Sequence, residues 1–241
     1  MIILRFLGTG PAGGRPGRGR SRRTESSLAI LSEDGTILID VTRDVATQLR
    51  ALDRVDLALL THPHRDASGG VPALDRWLPA PVPLVSSRAT IRTLRARHRG
   101  LAHLELRGVT SGRPFAWHRW QITPLAVPHA RDCTTFAWRL RRGRRSIIYA
   151  SDVARLTRGL ATLASTCDLL VLDGAMWRRR IFTHLEIGAT VPIVARWRVG
   201  RVVLTQLGRS TPGHGALDRW LHAFDPRFGA AYDGLELRLA E

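Results

Sequence analysis

The stretch Thr61-His62-Pro63-His64-Arg65-Asp66-Ala67-Ser68-Gly69-Gly70 decides how the rest of the chain reads. Before it, Val55 to Leu60 is apolar apart from Asp56, a buried strand running into a turn. After it, Val71, Leu74 and Trp77 recur at helical spacing. The two histidines and the aspartate therefore lie on a strand-to-helix loop. Two residues apart in extended backbone, His62 and His64 point the same way. Asp66 falls at the helix start, where free backbone N–H groups favour a carboxylate. Two imidazoles and a carboxylate on one loop are donors suited to a divalent metal. The plain alternative is a solvent-exposed turn that holds two histidines.

Outward from this loop, the pattern alternates strands and helices. Ile2 to Phe6 predicts a strand, followed by Leu7-Gly8-Thr9-Gly10 and a Gly-, Pro- and Arg-rich loop from Pro11 to Arg23. That loop reads either as a solvated insertion or as a phosphate-attracting flap. Ser27–Leu31 and Thr36–Ile39 predict paired strands, with Asp40 ending the second, and Val45, Leu49 and Leu52 mark a short helix. Later strands are expected at Val82–Val85, within Phe115–Pro128, at Thr134–Leu140, Ser146–Tyr149, Asp168–Leu172 and Arg201–Thr205, and through Leu235 to Leu239. Helices are expected at Ala89–His98, Arg155–Ala164, from Ile187, and around Leu217 to Phe224. Metal-type polar residues recur at strand ends: His62, His64, His129, Asp152 and Gln206. Open α/β sheets place their sites there. His98, His103 and His118 have no partner at ligand spacing and read as surface or structural residues.

The chain has 241 residues, enough to bury a sizeable core as one domain spanning 1–241. No apolar run is long enough to span a bilayer. Arg22-Arg23 offers a twin-arginine pair, but Glu33-Asp34-Gly35 interrupts the apolar run behind it, so a cytoplasmic location is expected. Cys133 and Cys167 show no metal spacing and imply no disulfide framework. The formal net charge is +17, and all 37 basic residues are arginine. A GC-rich coding sequence explains the bias, but the charge attracts phosphates whatever its origin.

The run from Thr61 resembles the metal-binding signature of the metallo-β-lactamase fold, Thr-His-x-His-x-Asp-His-x-x-Gly, with Ala67 where that pattern has a third histidine. Phe6-Leu7-Gly8-Thr9-Gly10, Leu38-Ile39-Asp40, Val127-Pro128-His129, Tyr149-Ala150-Ser151-Asp152 and Tyr232-Asp233-Gly234-Leu235-Glu236 resemble further segments of the family. The last of these, with Thr183-His184-Leu185, is similar to the phosphoribosyl cyclic phosphate phosphodiesterases of phosphonate metabolism and their RNase Z-like relatives. The resemblance implies an α/β fold, an αββα sandwich of two mixed β-sheets flanked by helices. It implies a first metal site of His62, His64, His129 and Asp152, all present. The second site would take Asp66, the histidine replaced by Ala67, Asp152 again, and a histidine whose place Gln206 holds. One tightly bound ion, zinc or manganese, is therefore expected.

In that reading the ion activates a water, Asp66 acts as general base, His184 protonates the leaving oxygen, and Arg209 supplies part of the lost charge. Arg65 and Arg131 are weaker candidates for that last role, and His214 is the remaining residue that could complete a second site. Three function classes follow: a metal-dependent hydrolase of small or cyclic phosphodiesters, an RNA- or DNA-processing or nucleic-acid-binding member, and a non-catalytic metal- or ligand-binding member. The expected partners are a small phosphate-ester substrate, nucleic acid in the second class, a second copy of the chain, and no membrane.

Overall fold

The computed structural model describes residues 1–240. The first sheet is built from β1 (Ile2–Gly8), β2 (Ser27–Ser32), β3 (Gly35–Ile39), β4 (Leu57–Leu59), β5 (Val82–Ser87) and β6 (Leu104–Val109). The second holds β7 (Phe115–Trp117), β8 (Trp120–Val127), β9 (Thr135–Arg142), β10 (Arg145–Ala150), β11 (Leu169–Asp173), β12 (Arg201–Thr205) and β13 (Phe228–Ala230). The last strand, β14 (Glu236–Leu239), returns to pair with β1, so each sheet has seven strands. The helices are α1 (Val45–Gln48), α2 (Arg65–Ser68), α3 (Val71–Trp77), α4 (Arg88–Arg97), α5 (Arg158–Ala164), α6 (Ile187–Val194) and α7 (His214–Phe224).

The two sheets repeat one plan. Each starts with antiparallel pairings, then runs parallel from its third sequential strand or its fourth: β3 to β6 in the first, β10 to β13 in the second. Parallel strands are buried on both faces and read as near-continuous apolar runs. In β4 and the residue after it, Leu57 and Leu59 face the other sheet while Ala58 and Leu60 face the helices. In β11, Leu169 and Val171 face inward and Leu170 and Leu172 outward. This two-residue alternation gives three cores. One lies between the sheets, around Phe6, Trp120, Phe136 and Trp138. One packs α1, α3 and α4 on the first sheet, and one packs α5, α6 and α7 on the second. The expected αββα sandwich is the observed architecture.

Local differences have local causes. β6 carries the alternation Leu104-Glu105-Leu106-Arg107, which was not expected as a strand, and as an edge strand it buries only Leu104. β13 has three residues, too few for a period. α5 starts at Arg158 rather than Arg155, because the Thr157 hydroxyl caps it by accepting from the Leu160 N–H. The Pro11–Arg23 loop is neither a free insertion nor an arginine flap throughout. Arg15 donates to the Thr211 hydroxyl at 2.6 Å and its carbonyl at 2.9 Å, and Arg23 is buried, donating to Thr9 and the Ala231 carbonyl. Burial pushes the Arg23 guanidinium down to about 10. Among the described residues no helix is long and apolar enough to cross a membrane.

Candidate metal centre

The polar strand ends converge where the two sheets meet. The Phe136 N–H donates to the Thr61 carbonyl at 2.9 Å, and the Leu207 N–H to the Thr9 carbonyl at 2.8 Å, tying one sheet's loops to the other's. β4 delivers Thr61 and His62, β8 delivers His129, β10 delivers Asp152, β11 ends in Asp173, and β12 leads to Gln206.

His62 is fully buried, and a relay sets its orientation. Asp40 stands in the left-handed region at φ 64, which aspartate tolerates better than most residues. Its carboxylate accepts the Thr61 N–H at 2.8 Å and the Thr61 hydroxyl at 2.9 Å. With its proton on Asp40, the Thr61 oxygen accepts from His62 Nδ1 at 2.8 Å. The lone pair is left on His62 Nε2, which is buried and without a hydrogen-bond partner. Burial pushes this imidazole down to about 3, so it is neutral.

Two more imidazoles surround that orphan nitrogen. The His64 ring centroid is 4.7 Å from that of His62, and His129 is 4.9 Å from it. His129 Nδ1 donates to the Thr183 carbonyl at 2.7 Å, which leaves Nε2 free, 3.8 Å from Asp152 Oδ1. His64 Nε2 lies 3.2 Å from Asp132. The donor atoms of His62, His64 and His129 lie within 4.8 Å of one another. Asp152 is buried and accepts the Ser151 hydroxyl at 2.6 Å. Burial favours its neutral form, but the surrounding histidines, of which His184 carries charge, and the Ser151 hydroxyl outweigh that and hold it below the usual carboxylate range. A buried unpartnered nitrogen among imidazoles and a carboxylate fits a divalent ion.

The second half of the cluster differs. Asp66 Oδ1 is 3.7 Å from His62 Nε2, and burial followed by the Asp152 charge pushes the Asp66 carboxyl up to about 6. Ala67 is buried on α2 and offers no donor. Gln206, at φ 58, turns its amide nitrogen to Asp152 Oδ1 at 2.9 Å. A carboxylate can only accept, so the amide must present nitrogen rather than oxygen to it. The Gln206 oxygen is buried and unpartnered. Gln206, at the position where the family pattern has a histidine, is a hydrogen-bond donor to Asp152.

His184 joins the cluster through a partner that sequence spacing does not reveal. Its Nδ1 lies 2.7 Å from Asp173 Oδ2, and its ring is 5.0 Å from that of His129. Asp173 is buried and also accepts the Val153 and Ala175 N–H groups at 2.9 Å. Burial by itself would lower His184, but Asp173 raises it to about 9. Asp40, Thr61 and Asp173 were the residues missed. The available signal was the same for both aspartates: each stands at the C-terminal end of a largely buried, mostly apolar strand.

The other expected residues are three exposed arginines and one packed histidine. Arg209 is exposed on the turn after Gln206, with Nη2 4.0 Å from where a Gly13 side chain would begin. Arg65 and Arg131 are exposed. His214 packs its ring on Tyr232 at 5.2 Å and is in none of the donor clusters among the described residues.

Residues 36–205 match the Beta-lactamase superfamily domain. A curated relative, an octanoyltransferase of Porphyromonas gingivalis (strain ATCC BAA-308 / W83), is 24% identical over 234 residues; the match covers 91% of this chain and 46% of that protein. The chain thus spans about half the length of that relative. A diphosphatase from the PhnP family has the same fold at a TM-score of 0.89, with 22% identity, covering 100% of this chain and 98% of that one. Zn(2+)-bound PqqB from Methylobacterium extorquens gives 0.85 and 19%, covering 99% and 100%. The short form of human tRNase Z gives 0.74 and 17%, covering 99% and 100%. With its two seven-stranded sheets and the match over most of its length, the chain belongs to the Beta-lactamase superfamily domain family and has the metallo-β-lactamase fold.

Proposed function

We propose that the protein is a metal-dependent phosphodiesterase of small phosphate esters that holds one ion tightly at His62, His64, His129 and Asp152. The observation that supports this best is the buried, unpartnered His62 Nε2 at the centre of those donors, beside the His184–Asp173 pair. Three imidazoles and a carboxylate suit zinc. When bound, a divalent ion supplies Lewis-acid stabilisation of phosphoryl charge and makes a nearby water more acidic. The chain's own groups move the protons. Asp66, at about 6, is mostly ionised at neutral pH and takes a proton from the attacking water. His184, at about 9, is charged at neutral pH and donates to the leaving oxygen. The water oxygen bonds to phosphorus, the bond from phosphorus to the leaving oxygen breaks, and a phosphate monoester and an alcohol result. Arg209, exposed on the turn after Gln206, supplies part of the positive charge for the phosphoryl group. The diphosphatase and tRNase Z names of two proteins sharing the fold agree with phosphate-ester chemistry.

The test is hydrolysis of bis(p-nitrophenyl) phosphate by purified protein. Turnover is expected, with loss on strong chelation and recovery on adding zinc or manganese. His62→Ala should lose metal and turnover together. Unchanged turnover in that variant sinks the reading. The +17 charge supports a second reading, action on RNA or DNA. For that reading, turnover of RNA must exceed that of the small ester and fall steeply with salt.

A further inference from the structure

Phe182 is 95% exposed, an aromatic ring with almost no cover. It lines a cleft of about 1170 Å³ together with His129, Arg131, Arg155, Arg180 and Thr183. The three arginines are exposed, and none pairs with a carboxylate among the described residues. The cleft opens onto the metal centre: His129 is part of its wall, the Thr183 carbonyl fixes the His129 ring, and His184 follows in sequence. A phosphodiester with its phosphorus at the cluster therefore extends one ester arm into this space.

An open ring and unpaired guanidinium groups ask for different things from that arm. Phe182 is suited to a flat π-face. Guanidinium forks suit phosphate oxygens. A bare sugar phosphate satisfies only the arginines. We infer that the cleft selects a mononucleotide ester, its base stacked on Phe182 and its single phosphate lying between the cluster and the guanidinium groups of Arg131, Arg155 and Arg180. The size agrees, since a cavity of this order is that of a small-molecule site. The inference rests on the phosphodiesterase reading for its chemistry, but its recognition can be measured without turnover.

The experiment compares AMP with ribose 5-phosphate, which differ only in the base, by calorimetric binding to the metal-loaded protein. Stacking of one base on an aromatic side chain predicts AMP to bind about tenfold tighter or more. Phe182→Ala should erase that advantage and Phe182→Trp should keep it. Arg180→Ala should weaken both ligands together. Equal affinities in the unmodified protein, or an AMP advantage untouched in Phe182→Ala, would overturn the inference. Tighter binding of a 5′-phosphorylated trinucleotide than of AMP would overturn the assignment to a free nucleotide. Turnover of bis(p-nitrophenyl) phosphate in the same preparation is read separately. Its absence marks failure of the hydrolase reading, whereas an absent base preference marks failure of this one.

Discussion

On the side of the cluster fed by β4 and β8, His62 and His129 each have a partner that fixes the ring: Thr61 with Asp40 behind it, and the Thr183 carbonyl. On the side fed by α2 and β12, Asp66 keeps its place, but Ala67 is a buried methyl and Gln206 gives its nitrogen to Asp152. The backbone that carries both sides is intact, with strands ending alike in both sheets. The difference therefore lies in side-chain chemistry and not in the fold. One side presents lone pairs to an ion. On the other, the neutral Gln206 amide N–H donates to Asp152 Oδ1. Charge is lost there, and a hydrogen bond replaces part of it.

If the first side does the chemistry, its proton donor should dominate the kinetics. His184→Ala should retain its metal and lose about two to four decades in rate, the usual worth of a positioned acid. Loss of metal in that variant would make His184 a ligand instead. Asp173→Asn tests the same group through pH. His184 donates in its protonated form, so the rate should fall as pH rises through about 9. Removing the Asp173 charge removes what raises His184, and the alkaline limb should move to lower pH. A limb that stays in place would exclude His184 as the titrating acid.

A smaller effect is expected from the relay. Thr61→Val keeps the shape but takes away the oxygen that receives His62 Nδ1. Partners that orient a metal ligand are worth about 10- to 100-fold in metal affinity. Titration against a competing chelator should show a loss in that range. No loss would mean that packing alone holds the ring.

Legibility in the sequence followed distance along the chain. His62, His64 and Asp66 share one loop, so spacing alone gathers them. His129, Asp152 and Gln206 stand at the ends of apolar strands, and their grouping came through resemblance to a family pattern. Asp173 and His184 are eleven residues apart across an irregular segment, and no periodicity links them. The orientation of Gln206 was hidden for another reason. An amide can ligate through oxygen or donate through nitrogen, and only its neighbour Asp152 decides which. The same holds for Arg15 and Arg23, whose guanidinium groups serve backbone carbonyls that only the folded chain brings near.

The central claim is that the two sides hold metal unequally, and counting the ions tests it most directly. Elemental analysis after exhaustive dialysis should find close to one metal per chain. The variant with Ala67→His and Gln206→His together restores imidazoles to the depleted side and should approach two. Two tightly held ions in the unmodified protein would contradict the account.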